Sequence, residues 1–361
     1  MYVDEVVIVK KVLFEDESIQ LLETIGGAGK AILYRTFFQK VQQGDEVVVN
    51  VTATTLQLGT GGWDIVKAVP NALPYKKTAG NGHIMKARYM PNQHSVLTVE
   101  AQESKDHSLF QTSFCLDGQS ILLAELHSML PLVYVFMRKY APEMKLTVII
   151  SDEAALPLML SEHIRVLKKE KHFHSITVGQ AFGGEFEAVN IVTALQYAVQ
   201  KLKSDLILIS LGPGVVGTGT VYGFSGMELA NWANIVGGLG GKPIWIPRVS
   251  FADDRERHKG ISHHTLTPLT KFTFSKSLVP LPTLTNEQQL LLEQQVNNLN
   301  KQHSVIWVEQ KRFKSLLENA LVSYPKQIKT MGRTYEDDPV FFYTVAAAVY
   351  SAFTINDTNI S

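Results

Sequence analysis

Branched and aromatic residues recur in short, half-polar runs at the start of this chain and in longer apolar blocks after about residue 118, and the change of rhythm divides it. In the first part, Val6 to Val9, Ala31 to Phe38, Glu46 to Thr52, Ile84 to Tyr89 and Ser95 to Glu100 read as strands, separated by turns such as Gln43-Gly44-Asp45. No helical period of useful length intervenes, which predicts a small β-barrel or β-sandwich over residues 1–117. Beyond it, apolar blocks at Ser120–Ala124, Leu146–Ile150, Ser175–Val178, Leu206–Leu211, Ile244–Val249, Phe272–Val279 and Val305–Val308 alternate with helical periods. The clearest helices are Leu156–Glu170, Glu185–Leu202, Met227–Val236, Asn286–Leu299, Lys311–Ser323 and Pro339–Phe353. Such alternation predicts a mostly parallel sheet covered on both faces over residues 118–361: an open, doubly wound α/β domain first, an α/β barrel second. Pro280 and Pro282 mark the best candidate for a hinge or a strand exit.

One block stands out. Leu206–Leu211 runs into GPGVVGTGTVYGFSG, Gly212 to Gly226, and then into a helical period. Strand, glycine loop and helix in that order form the local grammar of a ligand-binding crossover. Gly212, Gly214 and Gly217 fit G-x-G-x-x-G, but a dinucleotide site wants the helix to open within the motif and an acid about 20 residues on. Here Ser225 and Glu228 read as a capping box that starts the helix late, and the first acid past the next strand is Asp253. What remains is an anion nest, with Gly212, Gly214, Gly217, Thr218 and Gly219 as its residues, against the plainer reading of glycines that permit tight turns and close packing.

In a parallel sheet ligands bind at the carboxyl ends of strands, and the unusual residues of this chain follow its predicted strands. Glu125-Leu126-His127-Ser128, Ser151-Asp152-Glu153, Gly179 to Glu185, the glycine loop and Arg248 to His258 are successive exits. His258, His263 and His264 lie near Asp253 and Asp254, and imidazole with carboxylate suits zinc, manganese or iron. Neighbours on a helix diverge by about 100°, so His263 and His264 are expected to divide the work: His258 and His263 as candidate metal ligands, His263 or His264 with Asp253 in proton transfer. His127 is a further acid–base candidate, or a core histidine. Lys86 and Arg88, two apart in a predicted strand, share a face and could add charge to an anionic ligand with Arg248, beside the turn Gly59-Thr60-Gly61-Gly62. Arg333 is the one residue of the stretch before the last helix with a comparable claim.

Composition narrows the partners. Thirty-four cations balance 34 anions among 361 residues, so no net field holds a polyanion, and nucleic acid is not expected. The only cysteine, Cys115, excludes an internal disulfide and a multi-cysteine metal site. No block reaches the roughly 18 apolar residues of a membrane span. Met1 to Lys11 lacks the signal-peptide pattern, so cytoplasm is the expected compartment.

The strings NVTATTLQLGTGGWDIV, GHIMKARYMPNQ, SDEAALPL, QAFGGEFEAVN, GPGVVGTGTVYGFSG and SFADDRERHKGISHHT together resemble an uncharacterised bacterial domain-of-unknown-function family. The resemblance spans nearly the whole chain and implies a bacterial origin. It carries no activity, cofactor or site residue, so function rests on the residues themselves. They favour an enzyme of small-molecule metabolism that holds a phosphorylated or otherwise anionic ligand at the glycine loop. A metabolite-binding regulatory module and a metal-dependent hydrolase are the alternatives. The cofactor stays open, with a divalent metal the candidate, and homo-oligomers stay open too.

Overall fold

The computed structural model describes residues 1–58, 61–72, 82–297 and 299–357. Of the turn at Gly59 to Gly62, Gly59 and Thr60 lie outside the described residues. The chain divides into two compact units, Met1–Asn81 with Ala87–Ser95, and Gly82–Lys86 with Val96–Ser361. Val99 and Leu116 pack in the core of the second.

In the first unit β1 (Asp4–Glu15), β2 (Ile19–Ile25), β3 (Lys30–Tyr34), β4 (Glu46–Asn50) and β5 (Asp64–Ala68) close in the order β1-β2-β3-β5-β4. Alternation sorts its side chains: Val7 and Val9 are buried with Leu22, Leu33, Val47, Val49 and Val66, while Val6 and Ile8 face outward. Closure selects the barrel over the sandwich. The strand predicted at Ile84–Tyr89 stops at Lys86, because Ala87 and Tyr89 turn to φ of 47° and 66°. Lys86 and Arg88 therefore do not share a strand face.

The second unit is built on an eight-stranded sheet. Its strands are β6 (Ser120–Ala124), β7 (Leu146–Asp152), β8 (Phe173–Gly179), β9 (Phe186–Glu187), β10 (Leu206–Ser210), β11 (Lys242–Ile246), β12 (Leu278–Pro282) and β13 (Ser304–Val308), in the spatial order β9-β8-β7-β10-β6-β11-β12-β13. Every pairing is parallel. The sheet has two open edges, so the α/β barrel is excluded. Ser120 to Ala124 are all buried, and they divide between two cores: Leu122 and Ala124 meet the helices Met129–Tyr140 and Pro339–Asp357, whereas Ile121 and Leu123 meet Ile191–Gln200 and Glu228–Gly238. A strand buried on both faces reads as a nearly continuous apolar run rather than an alternating one.

Three departures from the expected elements have physical causes. The Met129–Tyr140 helix is buried at every residue from Met129 to Met137, which erases the polar stripe that reveals a helical period. Pro280 and Pro282 lie inside β12 rather than at a hinge; they lack N–H donors, and the ladder to β11 shrinks to one pair, Ile244 with Leu278, while pairing to β13 continues throughout. The predicted strand Phe272–Val279 begins inside a helix, His263–Phe272, and only its end enters β12.

Lys86 is fully buried. Its Nζ donates to the carbonyls of Gly179 and Ala181, both at 2.9 Å, and lies 3.2 Å from Glu187 Oε2. Burial raises the Glu187 carboxyl above its ordinary value, against the pull of the Lys86 charge. This lysine ties down the exit of β8 and is saturated by protein groups. Lys86→Met strands a buried carboxylate and should cost about 3–5 kcal/mol in urea denaturation, with Lys86→Met/Glu187→Leu recovering most of it; unchanged stability in the single variant would refute the assignment. Gly184→Ala should cost about 1–3 kcal/mol by the same measurement, because a Cβ there meets the backbone at Phe186 O (2.8 Å) and Thr177 N (2.9 Å).

Candidate metal centre

β6 and β10 are neighbours whose connections leave toward opposite faces of the sheet, which opens a crevice at their carboxyl ends. Their last residues, Ala124 and Ser210, are in register, and Ala124 also pairs with Ile246 of β11. Three exits therefore start level. The first puts Glu125 directly after the apolar run Ile121–Ala124, and the third returns on itself: Val249–Ser250 pairs antiparallel with Gly260–Ile261, which folds residues 251–259 into an excursion. Gln295 pins this ribbon, accepting from Ile261 N at 2.8 Å and donating to the Lys259 carbonyl at 3.0 Å. The chain then enters the His263–Phe272 helix, where Ser262 accepts from His264 N at 3.1 Å as its cap.

Three imidazoles meet at this turn. His258, at 2% exposure, bonds Ser262 Oγ through Nδ1 at 2.7 Å. His264 Nδ1 lies 3.1 Å from Glu125 Oε1. His263 Nε2 is buried without a hydrogen-bond partner. Ring centroids are 4.4 Å apart for His263 and His264, 4.9 Å for His258 and His264, and 5.2 Å for His258 and His263. One potential ligand atom from each falls within 4.8 Å of the other two. The expected divergence of adjacent helical residues does not separate His263 from His264, because both stand in the first turn, where His258 approaches from the ribbon.

Charge in the surroundings is dense and paired. Arg248, 4% exposed, reaches Glu125 Oε1 at 3.4 Å and Asp253 Oδ2 at 3.7 Å. Arg255 clamps Asp253 with Nε and Nη2, each at 2.8 Å, and Arg333 stands 3.7 Å from Asp253 and 3.1 Å from Asp338. Ser250 donates to Asp338 at 2.7 Å. The Arg255 bonds hold the Asp253 carboxyl far below its ordinary value, so it is a fixed anion. The carboxylate that touches a histidine is Glu125. Burial favours its neutral form, but the His264 hydrogen bond and the Arg248 charge outweigh that and hold its carboxyl below the usual range. Burial, followed by the Arg248 and Arg255 charges, pushes His258 down to about 3; burial, then His264 and Arg257, lowers His263. Both shifts favour the neutral imidazole, the form that binds metal.

The glycine loop lies against this cluster. Phe224 stacks on His264 at 3.9 Å and 8°. A Cβ on Gly217 would sit 3.4 Å from His264 Cε1, and one on Gly226 would sit 3.1 Å from Glu125 Cγ. The loop's own amides are partly spent: Gly212 N on Asp152 (3.3 Å), Val216 N on Ser225 Oγ (2.8 Å) and Thr218 N on the Gly223 carbonyl (2.9 Å). Ser225 thus pins the loop and does not cap the following helix, whose start has no side-chain cap.

Of the residues picked out in the sequence, His258, His263, His264, Arg248, Asp253, Gly217 and Arg333 come together. Gly212 packs on Leu156 instead, where a Cβ would come within 1.9 Å of its side chain. Gly214 (φ 94°), Thr218 and Gly219 (φ 76°) are exposed. His127 is engaged elsewhere, bonding Ser161 Oγ at 2.6 Å, and burial pushes it down to about 4. Lys86 is consumed at the β8 exit, and Arg88 is exposed beyond the strand end. Sequence reasoning missed Glu125 as the histidine partner, although an acid directly after the four apolar residues Ile121 to Ala124 is an anomaly that could have flagged it. It also missed Phe224 and Arg257.

No curated protein matches the chain. A model of a protein family of unknown function, DUF3866, matches residues 30–349. With that match covering most of the chain, from the third barrel strand through the whole parallel sheet, the chain belongs to the DUF3866 family.

Proposed function

We propose that this protein is a metal-dependent hydrolase in which His258, His263 and His264 hold one zinc-class ion. The carrying observation is the convergence of their ligand atoms within 4.8 Å, with the Nδ1 of His264 held by the buried carboxylate Glu125. Bonds at Nδ1 of His258 and His264 leave the Nε2 atoms as their free donors, alongside the unpartnered Nε2 of His263. A carboxylate behind a ligating histidine fixes ring orientation and raises ligand basicity. Three protein ligands leave a coordination position for water, which separates catalytic from structural zinc sites, and a bound ion supplies a nucleophile by acidifying that water. The other functional reading, an anion held by glycine-loop amides alone, is weakened because several of those amides already have protein acceptors.

Elemental analysis of the purified chain, reconstituted with zinc or manganese and desalted, should find about one ion per chain, with the ion lost in His258→Ala, His263→Ala and His264→Ala. A folded wild-type chain that retains no ion would sink the proposal. Ester and phosphoester hydrolysis should vanish with chelator and return with metal; stoichiometric metal without any turnover would point to a sensing module. Glu125→Gln should weaken metal affinity by about 10- to 100-fold, read by competition with a chromophoric chelator, while far-UV circular dichroism stays unchanged. Wild-type affinity in that variant would remove Glu125 from the site.

A further inference from the structure

Three buried or partly buried carboxylates, Glu125, Asp253 and Asp338, are matched by three arginines, Arg248, Arg255 and Arg333. This network cancels itself. Lys259, on the same excursion, pairs with Glu256 at 3.6 Å. Arg257 is different. It is exposed, and among the described residues it has neither an ion pair nor a hydrogen bond. Its Nη2 lies 3.8 Å from the position a Cβ on Gly219 would occupy, which sets the guanidinium against the glycine loop. It is also near enough to His263 for its charge to act on that ring.

We infer that Arg257, beside the Gly217–Gly219 turn, is the anion-binding residue of the site and that its substrate is a phosphate monoester. The inference rests on the metal reading above. With the surrounding ion pairs neutral, a divalent ion and Arg257 together present excess positive charge at one end of the crevice. A phosphate dianion offsets more of it than a carboxylate does, and its oxygens suit the planar fork of a guanidinium. Arg248 cannot do this job, since its charge is already shared between Glu125 and Asp253. Neither can Lys86, buried on two carbonyls and Glu187. In the reaction, the water oxygen forms a bond to phosphorus, the ester P–O bond breaks, and the proton released by water passes to the departing alkoxide. The products are an alcohol and inorganic phosphate.

The test uses the full chain, first scored for bound zinc by elemental analysis, then titrated calorimetrically with inorganic phosphate and, in parallel, with acetate. Zinc-loaded wild type should bind phosphate, and Arg257→Gln should bind it about tenfold or more weakly, the loss of one charge-assisted hydrogen bond, at unchanged zinc content. Equal phosphate affinity in wild type and Arg257→Gln, no phosphate binding by zinc-loaded wild type, or an equal response to acetate overturns the inference while the metal reading stands. Absence of zinc from wild type fails the metal reading first and the inference with it.

Discussion

One buried carboxylate organises the α/β unit's functional edge. Glu125 follows four buried apolar residues, Ile121 to Ala124, of the strand that lies near the middle of the sheet, between β10 and β11. Taking a charged carboxylate out of water is expensive unless it is paired and hydrogen-bonded. Here a single oxygen, Oε1, serves both Arg248 and His264. The two partners come from one continuous stretch, and they can meet Glu125 only because the Val249–Ser250 and Gly260–Ile261 ribbon turns that stretch back on itself. Gly226 keeps its own side of the carboxylate clear. The position of His264 is therefore tied to satisfying Glu125 at the end of a central strand.

Around that contact the protein has spent its charges on one another. Asp253 is held by Arg255 and stands beside Arg248 and Arg333, while Asp338 joins Arg333 and Ser250. Such a network fixes geometry more than it adds stability, since desolvation offsets much of the Coulombic gain. The atoms left over are more telling. Glu125 Oε2, Arg248 Nη2 and His263 Nε2 are buried without hydrogen-bond partners, and all three belong to this one cluster. Unmet buried groups also occur elsewhere, at Glu187 and Trp245 for example, but here an acid, a base and an imidazole leave theirs at one strand-end cluster.

The architecture could be read from hydrophobic rhythm because each strand obeys its burial. Ser120–Ala124 is buried on both faces and apolar after its first residue, so its bounds are legible; the barrel strands alternate and are legible where the alternation is strong. Ile19–Ile25 was missed because buried Gln20 and half-buried Glu23 interrupt its pattern, Gln20 having a partner in the backbone of Val41 that no local rule foresees. The site was half visible. Histidine spacing pointed to His258, His263 and His264, yet Glu125 lies 139 residues from His264 in the chain, and only the strand order β10-β6-β11 makes them neighbours. Lys86 shows the opposite failure: a basic residue on a polar-looking strand turns out to be fully buried by carbonyls supplied from another exit.

The glycines of the loop carry the last distinction. Read alone, their number suggests a cradle of amides for an anion. In place, they answer different demands: Gly212 yields to Leu156, Gly217 and Gly226 yield to His264 and Glu125, and Gly214 and Gly219 take backbone conformations with positive φ. Two of these five demands, at Gly217 and Gly226, come from crowding around the histidine–carboxylate pair, and there glycine lets the loop approach that pair closely. Phe224 makes the same point with a large side chain, lying flat on the ring of His264 where a tilted or bulkier neighbour would force the imidazole off Glu125. The loop's contribution thus lies less in its own amides than in the ring it packs against, and in the proposed reading the anion falls to Arg257, which among the described residues pairs with no carboxylate.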